Sequence, residues 1–278
     1  MIESLVYELG GVLFIAILAA AAVRAKAIDL SGAIVGGAIS FIAFLAGGFQ
    51  WLIIIIAFFA VSSALTRFRY DFKSKLDSAQ EKRGMRSWPN TIANGGVAGA
   101  AALLELFFHG DLIAVAYIGS IAAAMSDTLA TEIGLLSRSM PRLITNLKVA
   151  VKPGTSGGIS TLGEAAALIS AIAISALGFL LAMPGNASIS NFAALVPSIV
   201  IGAMAGTVID SLIGAKIEGK TKCAVCGAVT EGRFHHGQPT KIVRGSRLVD
   251  NNVVNFIGIL AGAAITVTIY VALNFSSL

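Results

Sequence analysis

Residues 112–136 read LIAVAYIGSIAAAMSDTLATEIGLL, and no charge occurs in them before Asp127. An apolar run of this length fits the ~20 residues that a helix needs to cross a bilayer, and it exceeds a soluble core element. Working outward, comparable runs lie near 5–23, 29–47, 51–67, 90–108, 162–183, 191–214 and 251–273. The chain is therefore expected to be all-α, a polytopic membrane helix bundle of about eight spans. Hydrophobic residues make up 56% of it and charged ones only 13%, where a soluble domain carries roughly a quarter charged.

The distribution of cations orients the bundle. All 20 Lys and Arg fall in alternate gaps, at Arg24 and Lys26, Arg67 to Arg86, Arg138 to Lys152, and Lys216 to Arg247. The gaps at 47–50, 109–111 and 184–190 and both termini hold none. The positive-inside rule puts the basic gaps in the cytoplasm and both termini outside, in the cell membrane of a prokaryote. The net charge of +5 then meets anionic lipid or substrate and is no sign of nucleic-acid binding. No secretory signal is expected, because the first cation, Arg24, follows the first apolar run.

Residues 1–278 read as a single integral membrane domain, with cytoplasmic segments at 68–89 and 215–250. The first is rich in charge and is expected to form a surface helix. Glycines at 32, 36 and 37 and at 95, 96 and 99 suit close helix packing. A short repeat is visible: Ser126-Asp127-Thr128-Leu129 and Ile209-Asp210-Ser211-Leu212 each close an inward-running span, as a parallel duplication would.

Acids at membrane depth are costly and usually functional. Glu105 stands toward an outer end; Asp127, Glu132, Glu164, Asp210 and Asp250 stand at cytoplasmic helix ends. Convergence of Asp127, Asp210 and Glu132 would hold Mg²⁺, which takes one or two carboxylates and completes its shell with substrate phosphates. The competing account pairs Asp127 and Asp210 with Arg138 or Lys216. Between two spans, Lys148 and Lys152 flank Pro153, Gly154, Thr155, Ser156, Gly157 and Gly158. A Gly-rich loop entering a helix offers amides to a phosphate, although the P-loop order is absent. The alternative is a flexible turn.

Asn90 and Asn94 open one span; Asp250, Asn251, Asn252 and Asn255 open the last. They either line a polar nucleotide cavity or hydrogen-bond between helices. Cys223 and Cys226 with His235 have the spacing of a partial Zn²⁺ site, or they are reduced thiols. No nucleophile–base motif, metalloprotease motif or dinucleotide fingerprint occurs.

The Asp127-Thr128-Leu129-Ala130 element with Gly134 resembles the D-T-x-A-x-x-x-G element of membrane CTP-using enzymes such as dolichol kinase, phytol kinase and CDP-diacylglycerol synthase. Lys152 with Gly154, Gly157 and Gly158 resembles their K-x-x-x-G-x-x-G-G stretch at shorter spacing. A closer resemblance covers nearly the whole chain. Trp88-Pro89-Asn90-Thr91, Asp127 to Gly134, Pro153 to Gly158, Ile209 to Ala215, Cys223-x-x-Cys226 and Asp250 to Asn255 resemble the integral-membrane family that includes phytyl-phosphate kinase and the animal transmembrane protein nineteen. The resemblance implies Mg²⁺-dependent phosphoryl transfer from a nucleoside triphosphate, CTP foremost, to a polyprenyl monophosphate. Asp127, Asp210, Lys148 and Lys152 are then the catalytic set. A transporter with an intramembrane acidic site and a CDP-lipid-forming cytidylyltransferase are the alternatives, and a homo-oligomer is compatible with each.

Overall fold

The computed structural model describes residues 2–74, 76, 85–182, 189–227, 229–230 and 234–275. Its helices are α1 (Ile2–Arg24), α2 (Leu30–Arg67), α3 (Tyr70–Ser74), α4 (Trp88–Phe108), α5 (Asp111–Gly134), α6 (Thr161–Ala182), α7 (Ile189–Lys216) and α8 (Asn251–Phe275). Seven of the eight are long and apolar enough to cross a membrane. The chain is thus a polytopic all-α membrane bundle.

Helix α2 makes two crossings. At 38 residues a straight helix would run about 57 Å, nearly twice the hydrocarbon thickness. It breaks at Gly47 (φ −131°, ψ 19°) and Gly48 (φ 62°, ψ −156°), the second a conformation essentially confined to glycine. The Phe49 amide donates to the Tyr7 hydroxyl there. Both ends of α2 then meet on one side. Before its start, Asp29 N donates to Arg86 O at 2.9 Å, and Arg86 N to Ala27 O at 3.1 Å. From its second arm, Phe58 and Phe59 lie under the Arg86 guanidinium at 5.4 and 5.7 Å. Beyond its end, Lys73 Nζ donates to Leu65 O at 2.6 Å. The two arms are the spans expected at 29–47 and 51–67, and the count of eight crossings follows.

Loop–helix contacts put the basic gaps on one side. Arg86 pairs with Ile28, Lys73 reaches Glu132, Gly163 abuts Ala130 and Gly157 abuts Ala215. On the opposite side Trp51 stacks on Tyr117 at 4.2 Å, and Tyr117 donates to Trp51 O at 2.7 Å.

The core is built around α5, whose Val115, Tyr117, Ile118, Ile121 and Ala122 are fully enclosed. Helix α7 packs most extensively on α8, and α5 on α6. Gly202 and Gly206 of α7 face Gly262 and Gly258 of α8 across contacts that would not admit a Cβ. This paired small-xxx-small crossing lets the backbones approach, and it sets the two helix ends that carry polar groups side by side.

Two of the connections fold as β-structure. The α5–α6 connection folds as a sheet of β1 (Arg142–Leu143), β2 (Asn146–Ala150) and β3 (Gly158–Ile159), in the order β2-β1-β3. The α7–α8 connection holds β4 (Lys220–Lys222), β5 (Val229–Thr230) and β8 (Lys241–Arg244) in one sheet. It also holds the hairpin of β6 (Phe234–His235) and β7 (Gln238–Pro239). In the segment expected to be a surface helix, α3 spans five residues and turns Lys73 inward, 2% exposed. Lys75, Asp77, Glu81, Lys82 and Arg83 of that segment lie outside the described residues.

Candidate functional site

Asp127 of α5 and Asp210 of α7 lie near the basic ends of two helices that pack on each other, and both are partly buried. Each sits close enough to feel other carboxylates. Asp127 interacts with Glu164 of α6, and Asp210 interacts with Asp127 and with Glu218. The Asn255 amide donates to Asp210 Oδ2 at 3.2 Å and to Asn251 O at 2.9 Å, in the orientation that gives both of its polar atoms partners. Among the described residues neither Arg138 nor Lys216 forms a salt bridge to Asp127 or Asp210. The ion-pair account of these two acids therefore finds no partner here. What remains is a cluster of carboxylates in which, among the described residues, Glu218 has a salt bridge, to Lys220 at 3.0 Å, and Asp127 and Asp210 have none.

The Gly-rich loop docks one helical turn beyond Asp210. Two consecutive tight turns build it. Thr155 N donates to Lys152 O at 3.1 Å and Gly158 N to Thr155 O at 2.8 Å, with Gly154 and Gly157 at φ 82° and 77°. Pro153 before Gly154 matches the Pro-Gly centre of a type II turn. A Cβ on Gly157 would collide with Ala215 and lie 2.8 Å from Ser211 O. Glycine is needed there for the positive φ and for the approach to α7. Ser156 sits against Gly214. The Thr155 and Gly158 amides are spent in the turns, whereas those of Ser156 and Gly157 donate to no described residue. The start of α6 is partly closed to an anion, because Ser160 Oγ already accepts from Gly163 N at 3.1 Å.

Lys148 lies on the fully exposed strand β2, and Lys152 is exposed at the loop entrance. Neither touches the Asp pair. Asp250 is exposed, and its Oδ1 accepts from Val253 N at 3.0 Å, so it caps α8. Asn94 Nδ2 donates to Asn90 O at 2.9 Å, while the side-chain oxygens of both are buried without a partner among the described residues. They are acceptors awaiting a donor.

Glu132 belongs to a different cluster. It lies five residues beyond Asp127, about 140° around the helix, and is buried against Lys73 Nζ at 2.5 Å. Arg86 acts on the same carboxylate from the α4 side. Burial draws the Arg86 guanidinium down to about 10, and the Glu132 charge opposes that. A carboxylate already neutralised by a buried ammonium is a poor metal ligand, and the structure brings Glu132 together with Lys73 and Arg86 rather than with Asp127. Lys73, Arg86 and Glu218 were missed in the sequence because all three sit in charge-rich connections that read as solvated. Glu218, 2% exposed and bonded to Lys220 Nζ at 3.0 Å, had one signal, its position four residues past the span expected at 191–214.

Cys223, Cys226 and His235 converge in the α7–α8 connection, their ligand atoms all within 4.8 Å of one another. The Cys223 thiol is lowered to about 7, chiefly by the Cys226 backbone amide, with burial opposing. Glu231 and Arg233 of the same segment lie outside the described residues.

On the opposite side, Ala46, Gly47, Gln50, Trp51, Glu105, Gly110, Asp111, Ala114 and Leu181 line a cavity of about 310 Å³. That face is more polar than the cation pattern alone suggests.

The chain belongs to the family described as integral membrane protein DUF92, whose model matches residues 13–263. It is similar to Protein PGR of Arabidopsis thaliana, 33% identical over 262 residues covering 87% of this chain and 89% of that protein. It is also similar to the uncharacterized membrane protein MJ0933 of Methanocaldococcus jannaschii, 35% identical over 219 residues, 78% of this chain and 86% of that one. The chloroplastic Protein VTE6 of Arabidopsis thaliana is more distant, 23% identical over 239 residues, which are 81% of this chain and 62% of that protein. No solved structure matches. The membership expected from the motifs is thereby shown.

Proposed function

We propose that this DUF92 protein is a membrane lipid-phosphate kinase. It transfers the γ-phosphoryl group of a nucleoside triphosphate, CTP foremost, to a polyprenyl monophosphate such as phytyl or geranylgeranyl phosphate. The observation that carries the reading is the pair Asp127–Asp210, without a salt bridge among the described residues, beside a loop whose Ser156 and Gly157 amides have no described acceptor. Such a donor set fits a divalent cation. Mg²⁺ bound there would neutralise charge on the bridged phosphates.

The residues then divide the work. Asp127 and Asp210 anchor the cation, and Asn255 holds Asp210 in place. The loop amides meet phosphate oxygens, and Lys148 and Lys152, exposed at the loop entrance, draw the triphosphate in. The buried oxygens of Asn90 and Asn94 are acceptors for a base amino group or a ribose hydroxyl. An oxygen of the lipid phosphate attacks the γ-phosphorus, the bond to the β-phosphate oxygen breaks, and the nucleoside diphosphate leaves. No protein nucleophile is required. The lipid head meets this site at the basic face, which the positive-inside rule assigns to the cytoplasm, and the tail lies among the helices.

The acid-lined cavity on the opposite face is what a transporter would also present. Between that cavity and Asp127, however, stand the stacked Trp51–Tyr117 pair and the enclosed Ile118, Ile121 and Ala122. A CDP-lipid-forming cytidylyltransferase would use the same nucleotide groups, but would release inorganic diphosphate. The test is direct: incubate purified protein in detergent with Mg²⁺, each labelled triphosphate and geranylgeranyl phosphate. Geranylgeranyl diphosphate is expected. A cytidylylated lipid, or no product with any triphosphate, would overturn the reading.

A further inference from the structure

We propose that the α7–α8 connection is a zinc-binding knuckle in which Cys223 Sγ, Cys226 Sγ and His235 Nδ1 are the protein ligands. The inference is independent of the phosphoryl-transfer reading.

Two separate pieces of backbone bring these atoms together. After β4 the chain turns through Cys223-Ala224-Val225-Cys226-Gly227, closed by Gly227 N donating to Cys223 O at 3.0 Å. Gly227 takes φ 73°. The Val225 amide donates to Cys223 Sγ at 3.3 Å, so this turn offers a hydrogen bond to a sulfur that would carry thiolate charge. Twelve positions beyond Cys223, β6 and β7 form a hairpin whose two turn residues, His236 and Gly237, have φ 52° and 72°. Positive φ at both central residues is the two-residue type I′ hairpin. Its tightness fixes His235 at the strand end, with Nδ1 3.5 Å from Cys226 Sγ.

The dimensions suit zinc. Tetrahedral Zn²⁺ with sulfur at ~2.3 Å and nitrogen at ~2.0 Å puts its ligand atoms roughly 3.3–3.8 Å apart. The Cys226–His235 separation is already there, and the remaining atoms lie within 4.8 Å, a rotamer adjustment away. Two sulfurs and an imidazole are soft ligands that select zinc over Mg²⁺ or Ca²⁺. Among the described residues three protein ligands converge here, which leaves a fourth position to be filled. The His236 ring lies edge-on to that of His235 at 4.3 Å and is not a ligand.

The knuckle also has something to hold. Its two sheets have strands of two to four residues, too short to be stable without help. The larger sheet is tied to the bundle where Arg244 donates to Gly214 O at 2.7 Å, one turn past Asp210. Zinc would cross-link the Cys turn of this sheet to the separate hairpin, and so fix the connection between the ends of α7 and α8.

The experiment uses the full chain in detergent with any affinity tag removed. Metal analysis should find close to one zinc per chain. Co²⁺ added to the stripped protein should give a thiolate-to-cobalt charge-transfer band. Both thiols should be shielded from a disulfide reagent with zinc bound and react once it is chelated. Cys223→Ser, Cys226→Ser and His235→Ala should each weaken zinc by more than the 10- to 100-fold seen for outer-shell changes, and His236→Ala should not. The proposal is overturned if the reduced wild type, supplied with zinc at neutral pH, stays metal-free with reactive thiols. Retention of wild-type affinity by Cys226→Ser would overturn it equally.

Discussion

Asn255 holds Asp210 from the neighbouring helix, its amide 3.2 Å from Oδ2. The pairing exists because Gly206 and Gly258 let α7 and α8 touch along their backbones. An amide donor stabilises and aims a carboxylate without cancelling its charge, as a lysine would. Asp210 is therefore aimed without a counter-charge from Asn255, and Asp127 lies close enough to interact with it, so a cation from outside the protein would supply the charge that this pair lacks.

Removing either charge should stop catalysis with the fold intact. Asp127→Asn and Asp210→Asn are close to isosteric and relieve like-charge repulsion, so thermal stability in detergent should hold or rise. Turnover should fall about 100-fold or more, the scale for losing one preorganised electrostatic group. Kinase assay beside melting temperature checks both halves. Near-normal turnover in either variant removes that residue from the site.

Asn255→Leu separates aiming from charge. It leaves both carboxylates in place and removes the donor. The expected outcome is a drop in kcat, with apparent Mg²⁺ affinity weakened less than in Asp210→Asn. Equal effects of the two substitutions would mean that Asn255 does more than orient Asp210.

At Gly157 the loop leans on α7 at a positive φ, beside Ser211 O. Gly157→Val should cost about 1–3 kcal/mol for the backbone conformation alone and should push the loop off the helix. Lys152 is exposed, so Lys152→Ala should leave stability unchanged and raise KM for the triphosphate about 10-fold, or about 1.4 kcal/mol. Triphosphate titration with melting curves distinguishes the two. A Lys152→Ala variant with unchanged KM would leave the loop without an anion-steering role.

The buried pair Lys73–Glu132 makes the opposite prediction, loss of stability. Lys73→Met takes the hydrogen-bonded cation from a carboxylate that is 5% exposed and leaves it Arg86, and breaking a buried pair from one side costs about 3–5 kcal/mol. Lys73→Met with Glu132→Leu should recover part of that loss, because it removes the carboxylate but leaves the buried Arg86 without its counter-charge. Melting temperatures of the single and double variants measure it. If Glu132 were a metal ligand, the double variant would be stable but dead.

Much of this architecture was legible because membrane burial writes a coarse pattern. Acids such as Asp127 and Asp210 stand out in apolar runs, and the uncharged gap at 47–50 marked the reversal now seen at Gly47–Gly48. What stayed hidden lay in the connections. Polarity says that Lys73, Arg86 and Glu218 are charged, but which charged side chain of a loop folds inward depends on tertiary partners such as Glu132. Strands of two residues, as in β1 and β6, are too short to carry a periodic signal. The exposure of Lys148 on strand β2 follows from a β-hairpin that glycine and lysine spacing does not specify.

The reversal itself can be tested by chemistry at the two surfaces. If α2 crosses twice, Gln50 lies at the face of His109 and Gly110, with Arg69 and Ser139 at the basic face. A straight α2 would leave Gln50 near mid-membrane, reactive from neither side. In a chain with Cys223 and Cys226 replaced by Ser, single cysteines would be introduced as Gln50→Cys, His109→Cys, Arg69→Cys and Ser139→Cys. With the basic face in the cytoplasm, a membrane-impermeant maleimide should label the first two in intact cells and the last two only after lysis. Gln50→Cys tests the hairpin and Ser139→Cys the orientation. An unreactive Gln50→Cys beside a reactive His109→Cys would restore seven crossings. Labelling of Ser139→Cys in intact cells would turn the bundle over and move the proposed site out of reach of cytoplasmic triphosphate.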